Sequence, residues 1–140
     1  MSTVNLEYKV AKEDFSKAGE ASSAIKKTLK KLGVNSKIIR RVAIVTYEAE
    51  MNIVIHSFGG KIYVEIDTEK IKIIARDTGP GIPDTEKALE VGYSTATHQV
   101  RELGFGAGMG LPNIQRCSDE FSIESIVEDY TQVESTIYIQ

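Results

Sequence analysis

The chain has 140 residues, 41% of them hydrophobic and 26% charged, which suits one compact domain with one core across 1–140. Its net charge of −3 supplies no overall positive field to draw in phosphate backbones, which argues against a nucleic-acid protein. The single cysteine, Cys117, can form no internal disulfide, the stretch Met1–Val10 lacks an apolar signal core, and no apolar run is long enough to span a bilayer, so a soluble cytoplasmic protein with no membrane role is expected.

Asn5 to Val10 alternates apolar and polar side chains, as a half-buried strand does. A helical pattern follows from about Asp14 to Leu32, with Asp14 placed to cap its start and Gly33 to stop it. Ser36 can cap the next helix, which runs from Lys37 to about His56. Its middle, Val42 to Ile55, is apolar on nearly every side and is expected to be buried. The densest basic region, Lys26, Lys27, Lys30, Lys31, Arg40 and Arg41, falls on these two helices. A solvated helix face is the plain reading and an acidic partner the sharper one. Gly59-Gly60 then turns the chain. Lys61–Asp67 and Ile71–Asp77 read as strands joined at Thr68 to Lys70, the first supported by the alternation of Ile62, Val64 and Ile66. After the loop Thr78–Pro83, Asp84 can cap a short helix through Val91. Gly92 to Phe105 is polar with little periodicity, long enough to be a functional loop. Gly106 to Gly110 leads into a helix ending near Cys117. Phe121–Val127 and Thr131–Ile139 make a second strand pair about a turn at Glu128-Asp129. This order predicts an α+β fold: a two-layer α/β sandwich, with a mostly antiparallel mixed sheet covered on one face by helices.

Three segments carry candidate chemistry. Glu48 and Asn52 are four apart on the apolar helix, so they share a face one turn from each other. Polar groups there are costly unless satisfied. They are either a buried polar cluster bonded to a neighbouring loop, or an acid and a carboxamide facing a cleft. A Glu so placed can act as a general base, and an Asn oxygen is a hard neutral ligand suited to Mg²⁺. His56 reads as a helix-end or packing residue, and Glu50 as solvated or paired. The second segment, Asp77-Thr78-Gly79-Pro80-Gly81-Ile82-Pro83, follows a strand directly. A carboxylate at a strand end can accept a hydrogen bond from an exocyclic amine such as that of adenine, and Gly79 and Gly81 permit close backbone approach. A plain turn uses the same residue types. The third segment places Gly104, Gly106, Gly108 and Gly110 at alternate positions before a helix. A helix start offers free N–H groups and a positive dipole end to phosphate. A flexible loop is the alternative. The Gly-Lys-Ser/Thr end of a Walker A loop is absent. Leu111 holds the third place of the Rossmann fingerprint, so that reading fails too.

Together, in this order, the three segments resemble the GHKL (Bergerat-fold) ATPases, the superfamily of gyrase, Hsp90, histidine kinases and MutL. Glu48-Ala49-Glu50-Met51-Asn52 looks like the family's N box, Asp77 to Ile82 like its G1 box and Gly104 to Gly110 like its G2 box, with Gly92 to Phe105 where its ATP lid lies. The resemblance runs from about Arg41 to the C-terminus. It implies ATP and Mg²⁺ as cofactors. It implies Asn52 as the Mg²⁺ ligand, Glu48 as general base and Asp77 at the adenine amine. It places Gly79 and Gly81 at the floor of the base pocket and Gly104, Gly106, Gly108 and Gly110 around the phosphates. Ser135 best matches a threonine that the family carries near adenine, although Glu134 stands where a glycine is usual. Arg101, in the lid, would reach the γ-phosphate or remain solvated. With no phosphoacceptor helices and no transducer domain in the sequence, the chain is similar to stand-alone bacterial serine/threonine kinases of partner-switching systems. These are the anti-sigma-factor kinases (RsbW type) and the switch kinases (RsbT type). Gly108 to Arg116 followed by Asp119-Glu120-Phe121 looks closer to the switch type. The resemblance implies phosphorylation of a STAS-domain antagonist protein. It leaves a sigma factor or a PP2C-type phosphatase as the further partner, and allows a homodimer. An anti-sigma factor that sequesters a sigma factor in an ATP-dependent way is the alternative.

Overall fold

A computed structural model describes residues 3–11, 17–82, 85–89 and 110–139. Its elements are β1 (Val4–Val10), α1 (Glu20–Lys31), α2 (Ser36–His56), β2 (Gly60–Ile66), β3 (Lys70–Thr78), α3 (Thr85–Ala88), α4 (Gly110–Cys117), β4 (Glu120–Ile126) and β5 (Tyr130–Tyr138). The strands form one sheet in the order β1-β2-β3-β5-β4. Each described pairing is antiparallel.

The period of two decides which face is covered. Ile62, Val64 and Ile66 of β2, Ile71, Ile73 and Ala75 of β3, and Val133 and Ile137 of β5 all point to one side and are buried. Burying each large aliphatic side chain is worth roughly 1.5–3 kcal/mol relative to leaving it in water. Lys61, Glu65, Arg76, Glu120 and Glu124 alternate with them on the other, solvated side. The helices lie on the apolar side, with α2 in the middle between α1 and α4, so the fold is the expected two-layer α+β sandwich.

α2 is the spine of the helix layer. Asn35 caps it, accepting from Lys37 N at 2.8 Å. Ser36 does not cap it, because Asn35 has the extended φ and ψ that a cap needs and Ser36 is already helical. The helix is not buried all round: Ile44 and Tyr47 keep 37% and 39% of their surface in water. α1 ends as its sequence predicts. Gly33 takes φ +76°, its N–H meets Lys30 O, and Val34 N–H meets Leu29 O, each at 3.1 Å, which is a Schellman closure. The start of α1 differs. Asp14 lies outside the described residues, and the helix begins at Glu20 after a left-handed Gly19 that brings no side-chain cap. The cap comes from α2: the Glu50 carboxylate accepts from Ala21 N and Ser22 N, both at 3.3 Å.

α4 runs antiparallel to α2 and is held at its far end by Arg41. The Arg41 Nε donates to Cys117 O at 3.0 Å and its guanidinium pairs with Asp119 at 3.1 Å. Arg41 therefore leaves the basic group read from the sequence. Lys26, Lys27, Lys30, Lys31 and Arg40 remain exposed.

Candidate functional site

The α-helical spacing that put Glu48 and Asn52 on one face of α2 brings both to the first turn of α4. A Cβ added to Gly110 would lie 3.1 Å from Glu48 Oε2 and 3.1 Å from Asn52 Oδ1. Two oxygens thus converge on a helix N-terminus with no side chain between, a cradle that any residue but glycine would fill. Pro112 is tolerated in the same turn because its missing N–H has no helical partner there. Burial raises the Glu48 carboxyl above the ordinary range, opposed by a side-chain hydrogen bond from Asn113. A half-buried carboxyl with an upward-shifted pKa suits a base.

Asp77 sits near the end of β3 on the covered side of the sheet. Strand register sets Val10, Gly60, Asp77, Thr131 and Ser125 side by side in one row across the sheet. Gly60 carries nothing into the space beside Asp77; a Cβ there would meet Arg76 O at 2.4 Å and Asp77 Cβ at 3.0 Å. On the other flank Thr131 N donates to Asp77 Oδ1 at 3.3 Å. Burial is the larger influence and lifts this carboxyl to about 6, with the Thr131 N–H pulling the other way. A cavity of about 500 Å³ at this strand end is bordered by Val10, Gly60, Asp77 and Thr78 together with Lys9, Lys61, Tyr63 and Arg76, so it lies largely on the solvated face of the sheet, away from the helix layer.

The turn after Asp77 is pinned on both sides. Phe58 N donates to Thr78 O at 2.8 Å and Thr78 N to Gly59 O at 3.1 Å, which joins the end of α2 to β3. Gly79 packs against Ser57, whose Cα would be 3.1 Å from an added Cβ. Asn52 is five residues before Ser57, about 8 Å of helix rise. Gly81 has φ +75° and lies against Ile126 O, 2.6 Å from an added Cβ, so a side chain is barred there by both conformation and space. Ile82 N donates to Ser125 Oγ at 2.7 Å, and Ser125 Oγ shares a bond with Thr131 Oγ1 at 2.8 Å. One polar chain therefore runs from the glycine turn to the threonine beside Asp77.

Ser135 is a correction. It was expected near Asp77, but it pairs with Ile73, four residues back along β3, roughly 13 Å away. It is buried and bonded to Ser118 Oγ at 2.5 Å. Thr131 takes the place beside Asp77. Thr131 and Ser135 have the same strand parity, so alternation narrows the choice to these two and only the register separates them. Gly60 and Asn113 were likewise not singled out; Asn113 could have been found as the residue one turn after Gly110 on the same face of α4. His56 ends α2, and burial lowers its pKa. Arg101, Gly104, Gly106 and Gly108 lie outside the described residues. Among the described residues no group of three His, Cys, Asp or Glu could hold a metal ion. The Asn52 amide oxygen beside Gly110 is a neutral donor of the kind that could hold a hard cation.

A two-layer sandwich with an acid–amide pair against a helix start, and a half-buried aspartate at a glycine turn, is the arrangement expected of a GHKL-type ATPase domain. The chain belongs to the family described as histidine kinase-, DNA gyrase B-, and HSP90-like ATPase, which matches residues 38–139. Among its relatives is the serine/threonine-protein kinase RsbT of Bacillus subtilis (strain 168), 33% identical over 115 residues that make up 79% of this chain and 80% of the relative. The anti-sigma F factor of Thermoanaerobacter sp. (strain X514) is 36% identical over 97 residues, 66% of this chain and 64% of that protein. The crystal structure of the SiaB–SiaC complex from Pseudomonas aeruginosa contains a chain that superposes with a TM-score of 0.63, covering 94% of this chain and 88% of that one at 13% identity, a likeness of fold. The family read from the three boxes is thus the family found. Among the described residues no helix is long and apolar enough to cross a membrane.

Proposed function

We propose that the chain is a serine/threonine protein kinase of a partner-switching system. It would transfer the γ-phosphoryl group of ATP to a Ser or Thr hydroxyl on a STAS-domain antagonist protein. The observation that carries this reading is the convergence of Glu48 Oε2 and Asn52 Oδ1 on Gly110 at the start of α4, in a chain with a kinase relative at 33% identity.

Asp77 would accept from the adenine amine, with Gly60 and Gly79 leaving room for the base and Thr131 beside the carboxylate. The N-terminus of α4, with Gly110 and the glycines before it, would face the phosphates. Asn52 would hold Mg²⁺, which would supply positive charge to offset that of the phosphates. Glu48 would take the proton of the acceptor hydroxyl as its oxygen bonds to the γ-phosphorus, and the bond to the bridging oxygen breaks to release ADP. Positioning and charge stabilisation supply most of the catalysis in such transfers.

The test is transfer of labelled phosphate from ATP to purified STAS-domain proteins. The parent should label one on serine or threonine. Glu48→Ala should bind ATP with near-parental affinity yet lose on the order of 100-fold or more in transfer. Transfer by Glu48→Ala at the parental rate would remove Glu48 from the role of base. The anti-sigma F relatives support a second reading, an anti-sigma factor that holds a sigma factor under ATP control. ATP-dependent capture of a sigma factor, with no labelled acceptor, would favour it.

A further inference from the structure

We propose that the open face of the sheet docks an acidic segment of a partner protein, seated on Lys9, Lys61 and Arg76. Strand register sets these three side by side: Lys9 of β1 lies opposite Lys61 of β2, and Lys61 lies opposite Arg76 of β3. All three are exposed. All three border the cavity at this strand end, with Phe58 and Tyr63 as its aromatic walls. The proposal goes beyond the kinase reading and does not depend on it.

Like charges directly opposite one another weaken a sheet. Further along the same strands the face mixes its signs, with Glu65 opposite Lys72. The whole chain carries −3, so three adjacent cations also run against its composition. Glu7 reaches Lys61 from a diagonal position at 3.6 Å, but both side chains are about half in water, and such a pair contributes little. Among the described residues neither Lys9 nor Arg76 has a carboxylate at ion-pair distance. Arg76 is held instead by neutral partners. Its Nη1 donates to Gln132 Oε1 at 2.8 Å, and its guanidinium lies 4.1 Å from the centre of the Tyr130 ring. Its charge thus stays uncompensated while its geometry is set, which lowers the ordering cost of meeting an anion. The three Cα atoms span about 10 Å, two strand spacings, and carboxylates on alternate residues of an extended chain, about 7 Å apart, fall within that span. Glu124 ends the same row beyond Gln132, which confines an acidic segment to β1–β3. Asp77 projects to the covered side of the sheet, so docking here leaves it free for a nucleotide.

The test uses the full chain without nucleotide and a dye-labelled octapeptide with glutamates at alternate positions, binding being read by fluorescence anisotropy at low salt. The octapeptide should bind, and its counterpart with glutamines should not. Lys9→Gln, Lys61→Gln and Arg76→Gln together should weaken binding on the order of tenfold or more. Lys26→Gln, Lys30→Gln and Lys31→Gln on α1 remove the same charge and should change it by less than about twofold. Equal loss in the two triple variants, equal binding of the glutamine peptide, or no binding at about 1 mM peptide overturns the proposal. NMR of the ¹⁵N-labelled parent needs no variant to fold. There the octapeptide should shift the amide signals of Lys9, Lys61 and Arg76 and leave those of Lys26 and Lys30 in place, and the reverse pattern overturns the proposal. Two further outcomes also overturn it. A parent dimer in sedimentation that Lys61→Glu dissociates would show that a second copy covers the row. Displacement of the octapeptide by an equal concentration of pyrophosphate would make the row a site for a small anion.

Discussion

Asp77, proposed above to bind the adenine amine, weakens the fold that presents it. Its carboxyl titrates near 3.8 in an ordinary setting and at about 6 when folded, chiefly through burial. The folded chain therefore holds this proton more tightly than the unfolded one. Stability falls as pH rises through the window from 3.8 to about 6 and stays reduced above it. At pH 7 the cost is about 1–3 kcal/mol. Asn at this position carries no charge and can still accept from Thr131 N–H. Asp77→Asn should raise the unfolding temperature of the nucleotide-free chain at pH 7, give no gain near pH 4, and abolish ATP binding. Thermal unfolding at the two pH values with calorimetric ATP titrations checks all three. Equal loss of stability at both would make Asp77 a structural anchor. In the parent, ATP affinity should decline as pH falls below about 6, because the protonated carboxyl accepts the adenine amine poorly. Asp77 itself was legible as a carboxylate at a strand end. Its neighbours were not, because Gly60 and Thr131 reach it only through strand register, which no local pattern contains.

At the scale of elements, the helix ends depend on one another. The first turn of α1 has no cap of its own and uses Glu50 from α2, 28 and 29 residues further along the chain. Glu50 is buried, and burial raises its pKa against the pull of the Ala21 and Ser22 N–H groups. Removing the acceptor leaves two helix donors unpaired in a dry place, so Glu50→Ala should cost about 1–3 kcal/mol, while Glu50→Gln, which keeps an oxygen, should cost less. Urea unfolding midpoints measure both. A parental midpoint for the alanine variant would show that these 3.3 Å bonds contribute nothing. The sequence shows why α1 ends, since Gly33 is local, and not how it begins, since its cap is tertiary. The strands of the two hairpins were read to within a residue or so at each end, because alternation reports a half-covered sheet directly. The exposed stripe of Ile44 and Tyr47 on α2 was missed because an apolar run does not say which side has a neighbour.

For the whole molecule, the site is the seam between layers. α4 touches α2 at both ends, through Gly110 and through Arg41. The end of α2 is bonded to β3 through Phe58 and Thr78, and the glycine turn after β3 to the β4–β5 turn through Gly79 N and Asp129 O. A ligand reaching from Asp77 to the start of α4 would bridge the sheet and the helix layer and so oppose global unfolding. Binding only the native state at 100 times Kd adds about 2.7 kcal/mol, which raises Tm by on the order of 10 °C for a chain of this size. ATP with Mg²⁺ should therefore produce a large thermal shift, and chelation of the cation should reduce it to the smaller shift given by ATP alone. The two substitutions divide the effect. Asn52→Ala should erase the increment due to Mg²⁺ and keep a residual shift with ATP, because in the proposed mode Asp77 would still hold the base. Asp77→Asn should erase the shift altogether. If Asn52→Ala kept the full magnesium increment, the cation would be bound elsewhere, and the oxygen beside Gly110 would have to be assigned to packing of α4 on α2.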